Sequence, residues 1–473
     1  MIRRLAAALL AAAAPAAHAH GFGQRYDLPI PLSLYVLGAA LVVAVSCAMF
    51  VLYLRAAPGE RGFPRIDLLA TGWGRLLVSS PMIAAVRLVA LLAYLLILFA
   101  GFLGNQSPFR NVVPITIWAL WWVGLAYFSA LVGNLWIMAN PLETVFAALE
   151  HLHARMFFGK QLSLHLPSPP WMQAWPAVAL YLIFVWLEIA WDGSDSPRAI
   201  ATAIAGYSIV TWAGMWIFGR EAWLERGEAF SCVFGLLARF SPTRIGLTDR
   251  RVSEWHLRPY AVGLLDDART DASATALVLV ILAAVSFDGF LETPAWLAIV
   301  EGVSPDDAHW PRTAGLLLAP LLFAAVYLAF CRLIAMSAGM KGSAARIAGR
   351  FALTLVPIAI AYQVAHYLSF LAMAGQYMIP IASDPFGWGW NLFGTVNYFV
   401  RIGIVDARLV WIVSVGVIVT GHVAALYLGH VLALREFPDR RAAVRSQGPM
   451  LVLMVAYTML SLWIIAQPIV TTR

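Results

Sequence analysis

About ten apolar stretches, each close to the ~20 residues that span a bilayer, recur along the whole 473-residue chain. No other feature restricts its fold so strongly. In hydrocarbon every backbone N–H and C=O must be satisfied within the protein, which leaves helices or a closed barrel, and uninterrupted apolar runs are helical. The runs cover roughly 30–54, 82–104, 113–137, 174–192, 199–218, 273–292, 314–335, 351–374, 408–433 and 449–468. They predict an all-α polytopic integral membrane protein of about ten transmembrane helices. Composition agrees: 61% of residues are hydrophobic and 12% charged, against about 45–50% and about 25% in soluble domains. A soluble fold is excluded.

Residues 1–19 read as a secretory signal peptide, with Arg3 and Arg4 before an Ala/Leu run and Ala17-His18-Ala19 as the small-x-small cleavage site. Cleavage there would leave residues 20–473 as a single transmembrane domain beginning at His20. An N-terminal histidine offers an α-amine and an imidazole nitrogen as one chelate, a ligand set suited to copper or zinc. The three cysteines, Cys47, Cys232 and Cys331, form no CxxC pair, so neither a disulfide framework nor a thiolate cluster is expected.

The net charge of +7 resolves into sidedness. With His20 outside, alternate loops place 22 Lys and Arg residues inside and seven outside, which predicts that both mature termini face outward. The excess therefore needs no nucleic-acid partner. Two inner loops look amphipathic, near 140–158 and 220–240. In the first, Asn140, Pro141 and Glu143 form a helix-start signal. In the second, charges flank an apolar middle suited to a membrane surface.

Ionisable residues at membrane depth are costly and mark functional sites. Asp288 lies near the end of the sixth run and His366 about 12 Å down the eighth, at 1.5 Å per residue. Asp288 and His366 can meet, whereas His422 lies roughly 9 Å deeper. Glu188 and Asp192, four apart at the end of the fourth run, read as groups in headgroup water, and Glu292 shares a face with Asp288. The loop from Gln376 to Asp406 holds Asp384 and Asn391 among glycines and aromatics. It reads as an interfacial belt or as a packed, re-entrant segment that shapes a pocket.

Several segments together, AHGFGQRYDLPIPL, SFDGFLETPAW, VAHYLSFLAMAGQ, SDPFGWGWNLFGT and GHVAALYLGH, resemble bacterial polytopic membrane proteins of the fenitrothion hydrolase family. The resemblance implies a heterodimeric organophosphorus hydrolase with a second homologous membrane subunit. It also implies cleavage of aryl dialkyl phosphorothioates with release of 3-methyl-4-nitrophenol. The family pattern has His-Asp where this chain has His430-Val431, so His430 is not carried into the site.

The expectation is a hydrolase of the bacterial inner membrane, with its site toward the periplasm. A divalent ion, zinc or copper, would activate water, held by His20, His366, Asp288 and His422, with Asp288 and His366 catalytic. The substrate would be an apolar organophosphorus molecule drawn from the lipid bilayer. Two alternatives are a copper- or metal-handling transporter, with His366, His422 and His430 as a path, and a noncatalytic subunit.

Overall fold

The computed structural model describes residues 25–58, 63–266, 270–340 and 344–471; residues 1–19, expected to be a signal peptide, and His20 lie outside them. The chain is an all-α polytopic membrane protein. Among the described residues, nine helices are long and apolar enough to cross a bilayer. In chain order, helix one is Leu32–Tyr53, two Ser80–Leu103 and three Val112–Leu131. Helix four is the shorter Trp175–Ile189, five is Pro197–Phe218 and six Ala272–Leu291. Helix seven is His309–Ser337, eight Val356–Ala374, nine Ala407–Glu436 and ten Arg440–Ile469.

Helix four has 15 residues, about 22 Å at 1.5 Å per residue, and is short for a bilayer. The chain ends nevertheless require it to cross. Tyr26 and Asp27 pair in parallel with Val470 and Thr471, so the segment entering helix one lies beside the segment leaving helix ten. Both are on one face, which demands an even number of crossings. Helix four is short because Pro176 fixes its start and Ala190 leaves the helix just before the Asp192–Ser196 turn region; its interior faces, Val178, Tyr181 and Val185, are buried in protein.

Burial orders the helices. In helices six and eight, 72% and 83% of the most apolar window is buried, against 6% in helix two. Six and eight are therefore the central pair, and the outer helices present apolar side chains to lipid. Close approach is built in at Gly421, where a Cβ would fall 2.4 Å from that of Ala361. Helix three departs from regular geometry: Thr116–Gly124 is a π-helix. Within it Trp121 meets Phe230 edge-on at 4.4 Å and Trp122 meets Phe184 at 4.9 Å.

The face opposite the chain ends carries the two loops expected to be amphipathic. Pro141–Met156 is a helix whose N-cap Asn140 accepts from Leu142 N and Glu143 N at 2.9 and 3.3 Å. The 220–240 segment differs from expectation. It is two helices, Arg220–Arg226 and Ala229–Ala238, and Phe230, Val233 and Phe234 of the second are in the core instead of along a surface. The break comes from Glu228, a fully buried cap that accepts from Phe230 N, Ser231 N and Trp136 Nε1. The Tyr207 hydroxyl donates to it as well.

A small sheet with no clear signature in the sequence follows: Thr243–Thr248 and Arg251–Leu257 pair antiparallel, with Ile66–Asp67 on the other edge. The hairpin turns on Asp249 and Arg250, both at positive φ (48° and 63°), as a two-residue loop requires. The Arg250 guanidinium meets the Glu143 carboxylate at 2.9 and 3.1 Å, which ties the turn to Pro141–Met156.

Candidate functional site

Helices four, six and eight bring Glu188, Asp288, His366 and Tyr367 together at the end of the bundle that carries the paired Tyr26–Asp27 and Val470–Thr471. Asp288 lies three residues before the end of helix six, and the following residue makes the approach to helix eight close. At Gly289 a Cβ would come 2.6 Å from the Tyr362 hydroxyl and 2.9 Å from Ile464. Any larger residue would push helix six away from eight and ten.

His366 Nε2 is 2.8 Å from Asp288 Oδ2, with the imidazole buried and the carboxylate 23% exposed. The adjacent Tyr367 donates its hydroxyl to the same oxygen at 2.6 Å and stands 3.2 Å from Glu188 Oε1. One phenol thus lies between two carboxylates on different helices. Facing a carboxylate oxygen, Nε2 carries the ring proton, so Nδ1 is the atom able to accept one.

Beside the imidazole is a cavity of about 10 Å³ lined by Gly289, Ala365, Ser369 and Ile465, among others. That is room for about one water molecule. Apart from His366 and Ser369 its walls are apolar.

The other residues singled out from the sequence are placed elsewhere. His422 is fully buried in helix nine. Ser414 Oγ donates to Ala365 O at 3.3 Å, which sets Ser414 level with the pair. His422 is eight residues further along, about 12 Å at 1.5 Å per residue, and the structure does not bring it to Asp288 and His366. Its Nδ1 faces Ile418 O at 2.8 Å and its ring lies 5.7 Å from Tyr457. The Tyr457 hydroxyl meets Ser286 Oγ at 2.6 Å. His430 is held between Gln447 Oε1 and Leu54 O, both at 2.8 Å, as a helix tie.

Asp384 accepts from Trp388 N and Gly389 N, and Asn391 from Val396 N, so both shape their own loop. Asp192 lies past the end of helix four and faces His309 Nδ1 at 3.6 Å. Glu188, read from sequence as a headgroup residue, instead turns to Tyr367. Neither Glu188 nor Tyr367 was singled out as chemical. The one signal available was their proximity to chain positions bearing Asp288 and His366 at similar depth.

A tetrahedral metal site needs three or four converging N, O or S ligands. Among the described residues no three of His, Cys, Asp and Glu converge to hold a metal ion, and His20 lies outside them. The described side chains by themselves offer two donors, Asp288 and His366, whose facing atoms bond each other. An imidazole, a carboxylate and a phenol joined in this way have the chemistry to hold and relay a proton. Compared with known proteins, the chain matches no family model, no curated protein and no solved structure.

Proposed function

We propose that this chain is a membrane-bound hydrolase of phosphoric triesters in a bacterial inner membrane. The Asp288–His366 pair activates water at the periplasmic side. The observation that carries the reading is the 2.8 Å contact between His366 Nε2 and Asp288 Oδ2 beside a cavity with space for one water. The 22 to 7 distribution of basic residues supports the sidedness, since the arginine-rich face belongs in the cytoplasm.

In this mechanism a water in the cavity gives its proton to His366 Nδ1 as its oxygen attacks phosphorus. Asp288, accepting from Nε2–H, fixes the tautomer and stabilises the imidazolium. Tyr367 donates to Asp288 and keeps the carboxylate in place. The new P–O bond forms as the P–O(aryl) bond breaks, and a nitrophenolate leaves without needing a general acid. A neutral triester does not repel the incoming oxygen, so general-base assistance, worth about 10²–10⁴ in rate, is a large part of the task. The cavity admits the nucleophile and not the ester. In this reading the ester stays outside the cavity and presents its phosphorus to the water held there, approaching from the bilayer, where apolar triesters concentrate.

The test is nitrophenolate release from a nitrophenyl dialkyl phosphate or phosphorothioate by the purified, detergent-solubilised chain alone. Turnover that disappears in Asp288→Asn supports the reading. Absent turnover that returns only with a second homologous chain would make this the noncatalytic subunit.

A second reading, a metal-handling transporter, is favoured by His422. With Nδ1 donating to Ile418 O, its Nε2 presents a lone pair in the protein interior with no hydrogen-bond partner among the described residues, as a metal-binding imidazole would. Copper or zinc flux in proteoliposomes, lost in His422→Ala and unaccompanied by ester hydrolysis, would establish it.

A further inference from the structure

On the face opposite the chain ends, a cavity of about 420 Å³ opens between the end of helix three, the Ala229–Ala238 helix and the hairpin. Arg239, Arg244 and Arg258 line it, with Asn134, Thr243 and Asp266. This volume is in the range of small-ligand sites, about 300–1,000 Å³. Among the described residues its charge is unbalanced. Asp266 serves three guanidinium groups at once: Arg65 at 3.0 Å, Arg258 at 3.1 Å and Arg244 at 3.6 Å. Glu254 adds a looser contact to Arg244 at 3.8 Å.

The three arginines of the cavity are not equivalent. Arg258 is structural: it is buried and donates to Arg239 O at 3.1 Å and Ala238 O at 3.4 Å, at the C-terminus of Ala229–Ala238, where a cation is favoured. Arg239 is different. Its side chain makes no hydrogen bond or ion pair among the described residues, although it is partly buried. Burial pushes its pKa down, against the pull of Asp266 and together with the push of Arg244, yet a guanidinium stays protonated in proteins. A guanidinium that lines a cavity without a partner is open to an incoming anion.

Exposed apolar side chains stand next to the cavity in the chain. Leu131 and Val132 at the end of helix three are 42% and 45% exposed. Tyr260 and Thr243 bond their carbonyls, which fastens the basic loop to the membrane end of that helix. We propose that this cavity binds a phosphate-bearing anion, with Arg239 and Arg244 as its recognition residues and Arg258 holding the floor. A planar guanidinium fork matches phosphate geometry. The phosphate can belong to an acidic phospholipid headgroup, which basic pockets on the cytoplasmic side of helices bind, or to a soluble phosphate ester.

The sources separate in one experiment on the purified full chain. Native mass spectrometry would measure retention of phosphatidylglycerol against phosphatidylcholine, and a parallel titration would use glycerol phosphate and inorganic phosphate. A lipid site retains phosphatidylglycerol selectively and is indifferent to the soluble anions; a soluble-ester site binds glycerol phosphate and retains the two lipids alike. In either case Arg239→Gln should weaken binding about tenfold or more, as expected for a lost charge-assisted hydrogen bond, and Arg239→Lys should weaken it less. Arg244→Gln, at a half-exposed side chain, provides a second variant with little risk to folding. Wild-type protein that binds none of these anions selectively would overturn the proposal, as would undiminished binding in both glutamine variants.

Discussion

Asp288 and His366 are 78 residues apart in the chain and meet at 2.8 Å, joining the two most buried helices of the bundle. The contact depends on neighbours in sequence on both sides. Gly289 lets helix six approach, and Tyr367 supplies a second donor to the same carboxylate oxygen.

Replacing Gly289 with Ala should therefore destabilise the protein by about 1–3 kcal/mol, the usual cost of overpacking a core. The obstacle is the Tyr362 hydroxyl, 2.6 Å from the added Cβ. Thermal unfolding in detergent checks this, and Tyr362→Phe in the same background should recover part of the loss. An unchanged midpoint in Gly289→Ala would show that the two helices are not packed at this distance.

Tyr367→Phe removes the hydroxyl shared by Asp288 and Glu188. Two carboxylates then face each other without the donor between them. The expected result is about a tenfold loss of ester hydrolysis, from about 1.5 kcal/mol for one hydrogen bond to a charged group. Glu188→Gln, which keeps an oxygen facing the Tyr367 hydroxyl and leaves the bond to Asp288 in place, should cost less than Tyr367→Phe. Steady-state kinetics of the two variants measures both effects.

Glu228→Gln tests the buried cap behind helix three. The carboxylate accepts from two backbone N–H groups, Trp136 and Tyr207. An amide would turn an NH₂ toward some of those donors. A loss of about 2–4 kcal/mol is expected, read as a lower unfolding midpoint, with Glu228→Ala at least as severe.

The parallel pairing of the chain ends predicts a cross-link. Asp27→Cys and Thr471→Cys, which are paired residues, should form a disulfide under mild oxidation, detected as a mobility change that reductant reverses. Either single variant should give none. Failure of the double variant to cross-link would separate the ends and with them the requirement for an even number of crossings.

The helices were legible because apolar runs of span length have few alternative folds, and Asp288 and His366 because charge-bearing groups stand out against such runs. Glu188 and Tyr367 were not legible. A glutamate near a helix end and a tyrosine near a membrane boundary read as ordinary interface residues, and only the register between helices four, six and eight reveals otherwise. The 220–240 segment was misread for a similar reason. Its apolar face is the same whether it meets lipid or core, and Gly227-Glu228, which breaks and caps it, lies inside one continuous periodic stretch. The hairpin was hidden by charge, since its strands alternate within the most basic loop of the chain. His422 was separable by depth alone, and helix register keeps it away from the pair.

Chemical rescue tests most directly whether His366 acts as a base. In His366→Ala, ester hydrolysis should fall by about 10²–10⁴, and added imidazole should restore it with saturation, while Asp288→Asn and Tyr367→Phe gain little from imidazole. Full activity in His366→Ala without imidazole would contradict the account, as would a loss that imidazole leaves unchanged in a correctly folded variant.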